Sequence, residues 1–410
     1  TSITTAIAFS TLISSPIKHM IGYGLSLSFG ILWAWILSTT LLPSLILLKN
    51  WNLNSKSINK PSFLEKITQS LSRNLISHPK KILAFGLIIL LTVSIGLKNI
   101  NVEVNVIKFF KPNSPIRKST EFIDKEMTGS INLLLRANGD MKDPKNLNQI
   151  LSIQNELEQH PKHKMSISVA NVISQMHKIV MNNNPEFDKI PNSQDKVNNL
   201  FTMYNFSGDP QDFSSLVNYD HSSGLITAML QSISTTEIVL MIDNLENFIT
   251  NNTTNLLNVE ISGMAVFLRD FMNLVVKSSF ISIGISILVI FLIGWISFKS
   301  IKWGFLIIIP LISAIILNFG LMGIFNIHLS HFTALLTSII IGVGVDFAIH
   351  YISEFKRNRK QQCVENKITI KTVEDVGYPI LLDVISNLGF AALLFSALIP
   401  LNYVGGLMIF

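Results

Sequence analysis

Cysteine is nearly absent from this chain, and charge is scarce. A single thiol, Cys363, among 410 residues excludes an intrachain disulfide and any cysteine-based zinc site. Asp, Glu, Lys and Arg together make up only 14% of the residues, against 48% hydrophobic, and the mean hydropathy is +0.44. That balance excludes an ordinary soluble domain and fits a chain that crosses a membrane several times. Catalytic signatures are missing too. His328 and His331 have no carboxylates at metal-ligand spacing, and the sequence has no glycine-rich phosphate loop, HExxH or nucleophile elbow. No metal, no cofactor and no enzymatic activity are expected.

Acidic residues are lacking where basic ones gather. Residues 49–81 hold Lys49, Lys56, Lys60, Lys66, Arg73, Lys80 and Lys81 against Glu65 alone, which accounts for the formal net charge of +6. Spread over a folded face, that excess would suggest nucleic acid. Concentrated between two apolar runs, it reads as the positive-inside signature of a membrane protein, and no nucleic-acid partner is expected.

Apolar runs long enough to span a bilayer occur at 20–48, 81–98, 272–297, 301–325, 331–353 and 379–399, with partial runs at 1–15 and 402–410. The loop 49–81, the Lys299/Lys302 hinge and the basic segment 355–378 all fall on one side, taken as cytoplasmic. The connection from 99 to 270 then lies on the opposite side. Both ends of the chain sit in apolar runs, so a fragment of a longer protein is expected. Residues 62–78 form an amphipathic segment, with Leu64, Ile67, Leu71 and Leu75 on one face. It suits the cytoplasmic membrane surface or packing against the bundle.

The patterning of 99–270 is that of a soluble domain. Alternation at Val102, Val104 and Val106 predicts a strand, and further strands are predicted at Ile131–Leu135, Ser166–Val169, Leu225–Leu230 and Asn258–Ile261. Ser114-Pro115 and Asp143-Pro144 open helices, and Ser234-Thr-Thr-Glu237 is a capping box for a helix running to about 250. The Asn-, Asp- and Pro-rich stretch 181–222 reads as loop. Alternating β and α elements predict compact α+β units.

Chemistry is concentrated in Gly342-Val-Gly-Val-Asp346-Phe-Ala-Ile-His350, which places a carboxylate inside an apolar run. A charge at that depth costs roughly 2.5–3.5 kcal/mol on insertion scales, so a partner or a task is expected. His350 follows one turn later, and an Asp–His pair at i, i+4 could pass a proton. A helix–helix packing bond, or a histidine at the interface, is the plainer alternative. Gly342 and Gly344 would let a neighbouring helix approach closely. Asn318, Asp383 and Asn387 are candidate polar partners, and the Ser/Thr residues of 1–15 could line a polar path or satisfy backbone groups. Short matches also join the two ends of the chain. Ile3–Phe9 resembles Ile385–Phe390, and Met20-Ile21-Gly22 resembles Tyr403-Val404-Gly405, at an offset of about 381–383 residues with a small insertion. This is the mark of a repeat-built transporter.

These residues resemble the resistance-nodulation-division (RND) superfamily. The match is to its MMPL-like and hydrophobe/amphiphile exporter branch, through Gly342–Tyr351 with Glu354-Phe-Lys-Arg, Val104–Pro112, Gly263, Phe298-Lys-Ser, Trp303-Gly304 and Pro310. The resemblance implies twelve helices in the whole protein, numbered five to twelve here, and a polytopic α-helical membrane fold. The extracytoplasmic porter domain would be α+β, with ferredoxin-like βαβ subdomains. Residues 1–48 would be the last two helices of the first half, 49–80 a basic linker, 81–98 a helix, 99–270 the porter domain, and 271–410 a five-helix bundle of sterol-sensing type.

By the same resemblance Asp346 is the proton-relay carboxylate. Its partner carboxylate lies on a helix outside this chain, and Phe347 stands where the family often has Tyr. The implied activity is proton-driven export of lipids or other hydrophobic molecules from the inner membrane of a bacterium, with protons, membrane lipids and a homo-oligomer or periplasmic protein as partners. A non-pumping sterol-sensing-like receptor and a protein-translocation accessory are the alternatives.

Overall fold

The computed structural model describes residues 2–48, 68, 70, 77–207, 214–252, 257–360 and 365–409. The amphipathic segment expected at 62–78 and Cys363 fall almost wholly outside them. The described chain divides into two compact units, residues 1–102 with 273–410, and residues 103–272.

The first unit is helical. It comprises α1 (Ser2–Ser10), α2 (Lys18–Leu47) and α3 (Pro79–Ser94), then α9 (Met264–Phe298) from residue 273 onward, α10 (Ile301–Ile324), α11 (His331–Arg359), α12 (Glu365–Asn387) and α13 (Ile399–Leu407). Among the described residues six spans are long and apolar enough to cross a membrane: Lys18–Leu47, Pro79–Asn99, Met264–Phe298, Ile301–Ile324, His331–Arg359 and Ile368–Phe395. Ser2–Ser14 is a shorter apolar helix. Much of their apolar surface faces outward, as with Phe29, Trp33, Leu83, Phe85 and Ile296, which is stable against hydrocarbon but not against water. Ala8, Ile290, Ile307, Leu311, Ile341 and Val345 form the core in which α1, α9, α10 and α11 meet.

Small residues decide which helices touch, because hydrocarbon tails offer little hydrophobic drive for helices to associate. Gly96, just after α3, is seated against Gly320 and Gly323 of α10 so closely that a side chain at any of the three would overlap the opposing backbone. The repeat proposed from short matches is present in the packing. A Cβ on Gly24 would lie 2.6 Å from the Phe9 carbonyl oxygen and 2.7 Å from Leu12 Cβ; one on Gly405 would lie 3.0 Å from the Phe390 oxygen and 3.0 Å from Leu393 Cβ. In both copies a serine closes a 3-10 turn. Ile17 N–H donates to Ser15 Oγ (3.1 Å) and Leu398 N–H donates to Ser396 Oγ (3.1 Å). All these pairs share a spacing of 381 residues. The expected insertion is therefore corrected: Gly24, not Gly22, matches Gly405, and Gly22 meets no atom within 4 Å.

The second unit is α+β. Its helices are α4 (Pro115–Glu126), α5 (Pro144–Glu158), α6 (Val169–Val180), α7 (Gln194–Ser207) and α8 (Thr235–Asn252). Its strands are β1 (Ile131–Asn138), β2 (His163–Ile167), β3 (Ser223–Leu230) and β4 (Asn258–Ser262). The sheet order is β2-β3-β1-β4 with every neighbouring pair antiparallel. Each crossover, β1 to β2 and β3 to β4, therefore passes over one intervening strand and carries a helix. Alternation places Ile131, Leu133 and Leu135 opposite Leu230, Ala228 and Ile226 on the buried face. Leu147, Ile150 and Ile153 of α5 and Ile238 and Ile242 of α8 are buried as well.

Three sequence expectations are corrected here. Residues 102–106 form an isolated bridge and a 3-10 turn rather than a strand. Side chains satisfy that backbone instead: Val104 N–H donates to Thr235 Oγ1 (3.1 Å), Asn105 N–H to Glu103 Oε1 (3.0 Å) and Ile107 N–H to Asn105 Oδ1 (3.1 Å). The strand read at 166–169 ends at Ile167, because Ser168 caps α6 in a capping box with Asn171. The supposed loop 181–222 contains α7, whose Val197, Leu200 and Phe201 bury one face.

Between β4 and the membrane run, Gly263 (φ +99°) turns the chain where a Cβ would lie 2.9 Å from the Asn132 carbonyl oxygen. Only glycine adopts that backbone without strain. Helix α8 starts with the expected capping box. Glu237 accepts from Ser234 N–H (3.0 Å) and Ser234 Oγ (2.8 Å), and these two bonds hold its carboxyl below the ordinary value of 4.5. A lowered folded-state value means stability that is present above the ordinary range and lost as pH falls through the lowered one. Hydrogen exchange of α8 amides in the intact protein should therefore accelerate on acidification, and Glu237→Gln should flatten that acid dependence.

Candidate functional site

The site is built on α11. Ser330 and Thr333 form a capping box at its start, and Lys356, Arg357 and Arg359 complement the dipole at its end. Its length follows from an apolar sequence free of proline, while Gly342 and Gly344 thin it halfway along.

At Gly342 the thinning has a definite consequence. A Cβ there would lie 3.2 Å from Phe9 Cε2 and 3.4 Å from Thr5 Cγ2, so α1 packs directly on this turn. One turn later Asp346 meets α1. Thr5 Oγ1 donates to Asp346 Oδ2 (2.9 Å), and Thr4 Oγ1 donates to Asp346 Oδ1 (3.4 Å). Thr4 and Thr5 are buried and Asp346 is half-buried. Hydroxyl donors favour the charged form of a carboxylate and offset part of its desolvation; each bond to a charged group contributes about 1.5–3 kcal/mol.

Helix α1 and the 3-10 turn that follows it (Thr11–Ser14) are themselves held by hydroxyls. Ser28 Oγ of α2 donates to the Ala6 carbonyl (2.7 Å), Thr11 and Ser286 share a hydrogen bond (2.6 Å), and Ser278 Oγ donates to Ser15 Oγ (2.6 Å). On α9, Ser278, Ser282 and Ser286 recur at four-residue spacing, all buried. Four residues are a little over one helical turn, so they form one stripe.

The other candidate residues fall elsewhere. His350 is exposed, and no hydrogen bond or ion pair joins it to Asp346. Gly344 faces α10, where a Cβ would meet Leu311 Cδ1 at an ordinary 3.6 Å. Asp383 is exposed and accepts from Ser386 at its carbonyl oxygen (2.8 Å) and Oδ1 (3.4 Å). Asn318, Asn387 and Phe347 line a cavity bounded by α3, α10, α11, α12 and α13. At 100° per residue, the α11 stripe lining it (Val343, Gly344, Phe347, Tyr351) is centred roughly 115° around the helix from Asp346. None of Asn318, Asp383 or Asn387 bonds to Asp346 among the described residues. The threonine partners were signalled in the sequence only as members of a Ser/Thr-rich segment, because a register between residues 341 positions apart has no local signature. At the 381-residue spacing of the repeat, Ser386 is the counterpart of Thr5. Among the described residues no group of three His, Cys, Asp or Glu gathers as a metal-binding set.

Several apolar membrane-length helices, one carrying a hydroxyl-bonded carboxylate, together with an α+β domain inserted in the sequence, define a multi-pass membrane protein. The chain belongs to the MMPL family, whose profile matches residues 117–407. This agrees with the resemblance read from Gly342–Tyr351. A membrane protein of Methanocaldococcus jannaschii, MJ1562, is 22% identical over 338 residues, 78% of this chain and 84% of the relative. The fold is similar to the cryo-EM structure of the hedgehog release protein Disp from the water bear Hypsibius dujardini. The TM-score is 0.68 at 14% identity, covering all of this chain and 55% of Disp. The chain thus spans about half the length of that structure.

The contact between α1 and α11 depends on the missing side chain at 342. Gly342→Leu should strain this core by about 1–3 kcal/mol and lower the thermal midpoint of the detergent-solubilised protein. Gly86→Ala, at a position with open space around it, should leave the midpoint unchanged.

Proposed function

We propose that this protein exports lipids or other hydrophobic molecules from the membrane at the expense of a proton gradient, with Asp346 as its proton-carrying group. The observation that carries this reading is the pair of threonine donors on Asp346, within a helix otherwise apolar enough to span a bilayer. A threonine hydroxyl can donate to the carboxylate when it is charged and accept from it when it is protonated. The same contact therefore suits both states, and a proton arriving or leaving would reset the α1–α11 junction rather than break it. The membrane potential supplies about 2.3 kcal/mol per charge per 100 mV, of the same order as the roughly 2.5–3.5 kcal/mol insertion cost of one such group.

The extracytoplasmic unit supports the reading in its wiring. Two βαβ crossovers, each passing over an intervening strand, support our reading of this unit as a ferredoxin-like porter subdomain. In this scheme substrate passes through that domain, residues 99–270, on the side opposite the basic loops, and the protein is a carrier rather than an enzyme. Release, the activity named for Disp, is likewise an outward movement. We place the protein in the cytoplasmic membrane of a bacterium, working with lipid, protons and either further copies of itself or a periplasmic partner.

The test is transport by the whole protein in proteoliposomes with an imposed pH gradient. Asp346→Asn should abolish gradient-dependent transport while leaving expression and monodispersity intact; transport at the normal rate would sink the proposal. Thr5→Val should slow transport at least about tenfold, as expected for losing a hydrogen bond of about 1.5–3 kcal/mol to a charged group. Thr4→Val, whose contact is longer, should slow it less.

A further inference from the structure

Of the three serines in the α9 stripe, only the outer two have partners. Ser278 meets Ser15 and Ser286 meets Thr11. Ser282 between them is 3% exposed, and its Oγ is enclosed with no partner among the described residues. Residues four apart on a helix are offset by only about 40°, so all three share one face. A helical serine often donates to the carbonyl four residues back, as Ser279 does to Val275 (2.8 Å) and Ser313 to Ile309 (2.9 Å). Ser282 does not. It stands between two positions at which α1 and the following turn already dock.

The segment that docks there is joined to α2 as one piece. Ser28 donates to the Ala6 carbonyl (2.7 Å) and shares a hydrogen bond with Ser10 (2.9 Å), while Gly24 is seated against Phe9. The residues that α2 buries are Met20, Gly24 and Ser28, and each meets α1 or the turn after it. We infer that this α1–α2 hairpin shifts by one helical turn along α9 and α11 during transport, with Ser282 as the positioning residue that receives Thr11 in the second register. The inference rests on the reading above, in which Asp346 takes up the proton.

The residues fix the direction of the shift. Thr11 meets Ser286 and Ser15 meets Ser278, so α1 runs antiparallel to α9. A shift of one turn, about 5.4 Å, brings Thr11 either to Ser282 or to Ile290, which has no hydrogen-bonding group. Only the shift toward the start of α9 keeps a hydroxyl on Thr11. In that direction Ser2, three residues before Thr5, comes to the level of Asp346, so the α1–α11 junction is remade with another hydroxyl. The Phe9 ring, now against Gly342, moves to the level of Ser338, the next small residue on that face of α11. The released Ser278 and Ser286 can turn to the carbonyls four residues back.

The proton sets the balance between registers. A hydrogen bond to a charged carboxylate is roughly twice as strong as one to a neutral group. Charge on Asp346 therefore favours the present register, in which Thr5 and Thr4 both donate to it. Neutralisation removes that bias, and the populations follow the difference in contacts.

The experiment is disulfide trapping in membranes, using the full-length protein freed of native cysteines, Cys363 included. Thr11→Cys with Ser286→Cys should cross-link in the Asp346 parent. Thr11→Cys with Ser282→Cys should cross-link at least fivefold more in Asp346→Asn than in that parent. The pair Ser15→Cys with Ser278→Cys reports the present register without altering residue 282, and its yield should fall about fivefold in Asp346→Asn. Adding Ser282→Ala should restore that yield, whereas Ser282→Thr, which keeps the hydroxyl, should not; about fivefold is the effect expected of one neutral hydrogen bond. A merely structural role for Ser282 would lower the melting temperature and leave these ratios unmoved. No cross-link at the 11/282 pair, a yield there independent of residue 346, or equal effects of Ser282→Ala and Ser282→Thr would overturn the inference. None of these readouts is transport, so the two readings fail separately. If Asp346→Asn stops transport and changes neither cross-link, only the register shift is lost. If the cross-links change while Asp346→Asn transports normally, only the export reading is lost.

Discussion

A carboxylate held by two hydroxyls inside an apolar helix is the constraint on which the membrane unit is arranged. The hydrogen-bond donors to Asp346 are Thr5 and Thr4, on a helix more than 300 residues away in sequence. For those hydroxyls to reach it, α1 must lie close against α11, and that closeness requires the absence of a side chain at Gly342. The rest of the seam follows from the same need. Bonds of Ser28, Ser286 and Ser278 tie α1 and the turn after it to their neighbours, and the contact of Gly24 with the Phe9 carbonyl fixes the return of the chain into α2.

This organisation makes α11 a helix with two unlike faces. One presents Gly342 and Asp346 to threonines; the other presents Val343, Gly344 and Phe347 to an apolar cavity containing a buried amide. Hydrogen-bonding groups are few in such a bundle, so each acts as a specific instruction about what must be adjacent. Hydrophobicity alone cannot supply that instruction, because every face of a membrane helix is compatible with lipid.

Local chemistry made much of the fold legible in the sequence. Ser114-Pro115, Asp143-Pro144 and Ser234–Glu237 open helices because each places a side-chain acceptor before unpaired backbone donors. Strands β1, β3 and β4 were readable from runs of branched and aliphatic residues. Where the reading failed, tertiary contact had replaced local pattern. Residues 102–106 alternate like a strand, yet Thr235, Glu103 and Asn105 take over their backbone donors. Helix α7 lay hidden in a polar stretch, although Val197, Leu200 and Phe201 already had helical spacing. The carboxylate was visible as an anomaly of composition, but its partners were not.

By itself the sequence determined that this is a multi-pass membrane protein with an inserted α+β domain, that short matches recur at an offset of about 381–383 residues, and that Asp346 is its one carboxylate deep in an apolar run within 331–353. Those properties are carried by composition, periodicity and spacing, which local physics can read. The tertiary structure alone decided that Thr4 and Thr5 face Asp346, that His350 turns outward, and that Asn318 and Phe347 belong to a separate cavity. The physical reason is that helix rotation and pairing in a membrane are set by close packing and a few hydrogen bonds between distant segments. Neither leaves a trace in the sequence next to the residues they join.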